Sequence, residues 1–443
     1  MTAGEIRLPH ARAIAVVSAA VVALVILFFT RNFIFYFDEW DFILAAPAWA
    51  PASILEPHNE HPAMLLRLIY ALLLNTVGLG SYVPYMAVLL ALHATSAVLL
   101  FEVVRRRSGD LVGLAAGALL LVLGAGWENL LWAFQIGFVG SVVFGLWMLL
   151  VIDAESSTRR NVLVAGLVAA SLAFSGVGLA FAVFAAVVFL ATRGHRKDAL
   201  WLLPVGAALG IWYLAYGHNG TPPNPPPDLG NAWRAPLYVG YGIGAAAAGL
   251  FGLSGGFGPF VGLLAAGVVA WDWWRKRRIH PFALGALAAM VSFYLVAGLT
   301  RAQLGYDQSG SGRYIYEGAV FWLLMLADAA RDLPWRGIWR PALVACVFLA
   351  AFNSSIVLIE YTAAKTVQMT REESDLYALA YERGHQCVDP NASVDPLVMP
   401  QVNRPALYYR AIDRFGSPVP AGAGTYNADF KAATANLCKR GPN

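Results

Sequence analysis

Long apolar runs interrupted by short basic clusters set the pattern of this chain. Runs near 12–30, 83–104, 111–126, 137–153, 161–175, 177–192, 199–216, 257–274, 282–299, 316–329 and 341–359 are each close to the length an α-helix needs to cross a hydrocarbon layer of about 30 Å. The pattern predicts an all-α polytopic membrane protein with about 11 transmembrane helices. Arg7 and Arg12 precede the first run, but no small-residue cleavage pattern follows it. That run reads as a retained span rather than a removed signal. From residue 360 the chain turns polar, with Tyr377, Tyr381, Tyr408, Tyr409 and Tyr426 as core material for a small appendage. The expected organisation is a bundle over 1–359 and a C-terminal region over 360–443.

Basic residues in short loops set the orientation of such a bundle. With the N-terminus inside, the inner loops hold seventeen Lys and Arg, among them Arg105–Arg107, Arg159-Arg160 and the four from Arg275 to Arg278. The outer loops hold five: Arg31, Arg67, Arg234, Arg301 and Arg313. Two further apolar segments, 64–78 and 236–253, would invert this bias if they crossed, so both are expected to lie at the outer interface. The longer polar loops then gather outside: 31–82, the turn at Trp127-Glu128-Asn129, the proline-rich 217–235 and 300–315. The C-terminal region falls outside as well. Its Cys387 and Cys438 are expected to form a disulfide, as suits an oxidising compartment, while Cys346 reads as a small buried residue of a span.

Composition adds scale. The chain has 443 residues, 58% of them hydrophobic and 13% charged, with mean hydropathy +0.59. Soluble proteins carry about 25% charged residues. The net charge of +4 is small, and basic residues do not alternate with aromatics in a way that suits nucleic acid. The abundant Ala, Val, Gly and Arg suggest a bacterial plasma membrane.

The chemistry concentrates in the first outer loop. Asp38, Glu39 and Asp41, followed by Glu56, His58, Glu60 and His61, lie just past the first span. Ionisable groups at that depth usually mark a site. A carboxylate there can take a proton from an acceptor hydroxyl, hold a metal ion, or cap a short helix from Asp38 to Ala46. His58, Glu60 and His61 have the look of metal ligands, though three in four residues do not easily wrap one ion.

Asp38-Glu39-x-x-Phe42 resembles the Asp-Glu-x-x-Tyr pattern of the GT-C membrane glycosyltransferases, the group of the protein O-mannosyltransferases and the lipid A aminoarabinose transferase. His61-Pro62 is similar to their His-Pro-Pro-Leu segment, and Gly312-Arg313-Tyr314 to their late Arg-Tyr pair. Ala63-Met64 replaces Pro-Leu, Phe42 replaces Tyr, and Asp41 adds a carboxylate. The resemblance implies a GT-C-like bundle using a polyprenyl-phosphate sugar donor and a glycan or glycolipid acceptor, with inversion. It implies Asp38 as general base, with Glu39, Asp41, His58, Glu60, His61, Glu128 and Tyr314 around donor and acceptor. Arg313 and Arg301 become the partners of the lipid phosphate, since guanidinium binds phosphate bidentately. Trp127, with Trp40 and Trp132, either stacks on sugar faces or belongs to an aromatic belt. Asp307 and Glu317 flank Arg313 and are expected to pair with it. No cofactor is required, and a divalent metal on Asp38, Glu60 and His61 stays open. The rivals are a lipid-linked sugar flippase and a polymerase or ligase using pyrophosphate-linked oligosaccharides. Mid-span charges and inverted repeats would favour the flippase; the span interiors here are clean.

Overall fold

The computed structural model describes residues 8–333, 337–383, 388–389, 391–395, 399–419 and 427–438. All regular structure among them is helical. In chain order the α-helices are α1 (Ala11–Phe29), α2 (Glu39–Ala45), α3 (Met64–Thr76), α4 (Val83–Leu121), α5 (Glu128–Leu131), α6 (Ile136–Ile152), α7 (Thr158–Phe174) and α8 (Gly178–Ala191). They continue with α9 (Leu203–Ala215), α10 (Asn231–Gly249), α11 (Gly258–Lys276), α12 (Pro281–Arg301), α13 (Gly312–Ala330), α14 (Trp339–Glu382), α15 (Pro405–Phe415) and α16 (Ala428–Leu437). Seven helical stretches among the described residues are long and apolar enough to cross a membrane, and the chain is built as a multi-pass membrane protein.

The two ends of the bundle differ in chemistry. At one end Arg12 pairs with Glu102, Arg107 with Asp153, Arg160 with Asp198, and Lys276 with both Asp272 and Asp332. This basic end gathers the turns between expected spans. The opposite end gathers the acidic loop, the 217–231 loop and the 302–311 turns.

One helix hides two expected segments. Within α4 the chain reverses at Gly109, whose φ of 85° and ψ of 169° are not helical. Only glycine takes such a conformation at little steric cost. The two arms then pack closely, because a Cβ on Gly113 would lie 3.1 Å from the Phe101 ring. Arg105 bonds both Glu102 and Asp110 across this hairpin.

The two segments set aside as non-crossing fit that view differently. Helix α3 has 13 residues, about 20 Å at 1.5 Å per residue. Its start borders the acidic loop, and just past its end the Leu79 N–H donates to the Phe415 carbonyl at 2.8 Å. Both ends thus stay at the acidic end. Helix α10 also returns there: Asn231 donates to Gln303, and the Gly249 Cβ position faces Ile315 and Ala125. Yet α10 lies at a surface only in its first half, where Trp233 and Leu237 are exposed. Tyr238 and Ala245–Ala248 are buried, because glycine at 244, 258 and 262 brings its backbone against α11. Its Ile243 carbonyl accepts from the Trp322 indole in α13.

Helix α14 runs unbroken for 44 residues, from the expected last span across residue 360 into the C-terminal region. There α15 packs on the acidic loop: Tyr408 meets Trp40 with ring centres 5.7 Å apart, and Arg414 donates to the Pro47 carbonyl. Cys438 is disulfide-bonded; Cys387, its expected partner, and Tyr426 lie outside the described residues. Cys346 is a free thiol and exposed on the helix surface rather than buried.

Candidate active site

The site starts from the turn after α1. Phe37 has φ of 50°, a left-handed conformation uncommon for a bulky residue and often found where a backbone is held for function. Helix α2 begins right after it. Asp38 occupies the cap position but makes no capping hydrogen bond. Glu39 reaches back instead and accepts from the Tyr36 N–H at 2.7 Å. The Asp38 carboxylate borders the cavity in front of it, with one oxygen accepting from Gln401.

Glu39 points the other way. It is fully buried and accepts from the Tyr70 hydroxyl at 2.6 Å and from Tyr82 at 3.0 Å. Burial pushes its carboxyl up to about 8 against these hydrogen bonds. It therefore fixes α2 against α3 and α4 and does not border the cavity.

The segment from His58 to His61 is a tight turn closed by two backbone hydrogen bonds of 3.0 Å between those residues. Asn59 takes φ of 50°, which asparagine tolerates better than most residues. Gly220 presses on this turn so closely that a Cβ there would lie 1.9 Å from the Asn59 carbonyl oxygen. The turn is held from behind by Arg67, which donates to the Glu56 and Pro57 carbonyls. Both imidazoles face the cavity, while Glu60 accepts from Arg301 at 2.7 Å. Desolvation and then Arg301 push the His61 imidazole down to about 3, so it is neutral at physiological pH.

Helix α13 completes the wall. Tyr314 accepts from Arg301 at 2.9 Å. The Arg313 N–H donates to Glu128 at 2.8 Å, while its guanidinium stays 3.9 Å from that carboxylate. The Arg313 Nε is buried without a hydrogen-bond partner. Asn129 ties α5 to this helix by bonding the Arg313 carbonyl and Glu317; Glu317 is thus bonded to Asn129.

These parts enclose a cavity of about 360 Å³, bordered by Asp38, His58, His61, Arg301, Arg313 and Tyr314 among others. Pro223 and Asn224 of the proline-rich loop form part of its rim. From His61, Arg301 and Tyr314 it continues into a narrow apolar crevice of about 50 Å³ between α8 and α12, lined by Leu179, Phe293 and Val296. Next to Asp38 on the same turn, Asp41 borders an open polar cleft with Ser53, Gln401 and Arg404.

The chain matches no protein-family model, no curated protein and no solved structure. Its chemistry therefore follows from the site alone.

Six of the expected residues converge on the cavity: Asp38, His58, His61, Arg301, Arg313 and Tyr314. Glu60 and Glu128 stand behind the two arginines. Asp41 is at the rim of the neighbouring cleft. Trp127 stacks on Tyr361 with ring centres 4.8 Å apart, away from the cavity, and Trp40 and Trp132 are buried. Trp40 donates to the Phe35 carbonyl and Trp132 to that of Tyr36. Both are core residues that brace the turn before Asp38, neither a surface belt nor a sugar platform. The sequence leaves a metal on Asp38, Glu60 and His61 open; among the described residues the donor atoms that cluster are those of Asp38, Asp41 and His58. Sequence reasoning missed Gln401, which donates to Asp38 at 3.3 Å, and Gly176, where a Cβ would stand 2.9 Å from His61 Nδ1. Neither lies near a recognisable motif.

Proposed function

We propose that this chain is a GT-C-like membrane glycosyltransferase that moves a monosaccharide from a polyprenyl-phosphate donor to a hydroxyl of a cell-envelope glycan or glycolipid. In this reading it crosses a bacterial plasma membrane eleven times, N-terminus inside and C-terminus outside, with the acidic end extracytoplasmic. One observation carries the proposal: a carboxylate, two arginines and an apolar crevice meet in one cavity.

Those three features match the three parts of such a reaction. The donor phosphate binds Arg313, whose Nε lacks a partner, and Arg301, held by Glu60 and Tyr314. The first isoprene units lie in the crevice between α8 and α12. Asp38 takes the proton of the acceptor hydroxyl as its oxygen bonds to the anomeric carbon. The bond from that carbon to the phosphate oxygen breaks, and its electron pair leaves with the lipid phosphate. The two guanidinium groups stabilise the charge that develops there. Neutral His61 offers a hydrogen bond without adding charge beside Arg301. The acceptor approaches along the polar cleft at Asp41, Gln401 and Arg404.

The test is transfer from a panel of polyprenyl-phosphate sugars to envelope glycan by purified protein. Donor-dependent transfer lost in Asp38→Asn supports the reading. Movement of donor across reconstituted vesicles without transfer would make the protein a flippase instead.

A further inference from the structure

Asp38, Asp41 and His58 each offer a donor atom, and these three atoms lie within 4.8 Å of one another. Carboxylates alone would not make a site. The second observation is His58: its side chain is 10% exposed, and its Nε2 stands 3.8 Å from Asp38 Oδ2. That nitrogen is buried with no hydrogen-bond partner, and an unsatisfied buried polar atom calls for a ligand. The ring is fixed between Phe42 and Phe134, each with its centre 5.0 Å away. Its nitrogen is thus aimed by packing rather than by a local hydrogen bond. We infer that Asp38, Asp41 and His58 bind one divalent first-row transition metal ion at the partition between the cavity and the polar cleft.

The donor set defines the class of ion. Imidazole with two carboxylates suits zinc or manganese and is poor for calcium or magnesium, which prefer all-oxygen shells. Ligand atoms around an ion at about 2.1 Å stand about 3 to 4 Å apart, so small side-chain rotations close the triad. Three protein ligands leave at least one position open, the arrangement of reactive rather than structural sites. Outer-shell groups are present too. Gln401 holds the other Asp38 oxygen at 3.3 Å, and Arg67 directs its N–H groups to the Glu56 and Pro57 carbonyls rather than to Asp41. Asp41 is exposed, which gives an ion a path from the cleft. The site shares Asp38 with the proposed transfer, where a bound ion would weaken that carboxylate as a base, so the inference is tested by ion binding and not by transfer.

Binding is measured directly on full-length protein in detergent, stripped with chelator and titrated with Zn²⁺ by calorimetry and with Mn²⁺ by electron paramagnetic resonance. One equivalent of ion is expected, with affinity reduced tenfold or more in His58→Phe and in Asp41→Asn. His58→Phe keeps a ring between Phe42 and Phe134, and Asp41 is exposed, so at least one variant reports on a folded protein, checked by its melting temperature. Absence of binding by the wild type, or unchanged affinity in either folded variant, overturns the site.

Discussion

Replacing Glu39 with glutamine should remove a pH-dependent part of the protein's stability. In the folded chain the Glu39 carboxyl is raised from an ordinary 4.5 to about 8, chiefly by burial. The folded state therefore binds one more proton than the unfolded state between those values. Linkage makes stability fall as pH rises through that window: the contribution is fully present below pH 4.5 and lost above about 8. Between pH 5 and pH 8 the change comes to about 3.5 kcal/mol, since one extra bound proton is worth about 1.36 kcal/mol for each pH step of one. The protonated carboxyl keeps its acceptor role toward Tyr70 and Tyr36 and can donate to Tyr82, whose hydroxyl is 3.0 Å from one Glu39 oxygen and 3.1 Å from the other. Glutamine removes the titration; its Oε1 can accept from the Tyr36 N–H, while its Nε2 cannot accept and meets the Tyr70 hydroxyl as a donor. Thermal unfolding in detergent, followed at closely spaced pH values from 5 to 8, should show wild type losing several degrees more than Glu39→Gln. Equal slopes in the two proteins would refute a buried, proton-binding Glu39. Glu39→Ala should be far worse at every pH, because leaving buried donors unpaired costs about 1–3 kcal/mol each.

Arg313→Ala should weaken use of the donor at least tenfold in kcat/KM, while Arg313→Lys recovers part of it, since lysine keeps charge but loses the bidentate fork. Gly176→Val should displace His61, whose Nδ1 lies 2.9 Å from a Cβ at that position, and raise KM for long-chain donors severalfold while the melting temperature stays close to that of the wild type. Cys438→Ser removes a disulfide and should destabilise the C-terminal helices by about 2–5 kcal/mol, read as earlier proteolysis of that region.

Much of this fold was legible in the chain because apolar length and basic turns are independent signals that agree. Each expected run lies largely in helical structure, and seven helical stretches among the described residues are long and apolar enough to cross. What escaped them depended on close packing. The Gly109 reversal lies inside one continuous polar patch, so the pattern predicted two segments without showing how tightly they fold together. Helix α10 was expected at the outer interface because a crossing there would invert the charge bias. Its small residues let its backbone approach Gly258, and its second half is buried instead.

The site divides along similar lines. Motif order brought forward Asp38, His61, Arg301, Arg313 and Tyr314, and these share one cavity. Sequence adjacency misled in two places. Glu39 stands beside Asp38 in the chain, but one helical step turns it into the core, where three hydrogen-bond donors hold it. Glu60 and His61 looked like metal ligands with Asp38, but the turn at Asn59 sends Glu60 to Arg301 and leaves His58 with Asp38 and Asp41. The tryptophans suggested either sugar contacts or an aromatic belt, whereas the Trp40 and Trp132 indole N–H groups donate to the Phe35 and Tyr36 carbonyls and brace that turn. Gln401 lies 363 residues from Asp38, a separation no local pattern can bridge.

The central claim is that Asp38 serves a sugar transfer from a lipid phosphate, and the most direct measurement is single-turnover transfer with radiolabelled polyprenyl-phosphate sugars. Wild-type protein should pass label to an envelope glycan, and Asp38→Asn, with an unchanged melting temperature, should lose at least a hundredfold in rate. Label that never leaves any donor in the wild type, or transfer that survives in Asp38→Asn, would contradict the account.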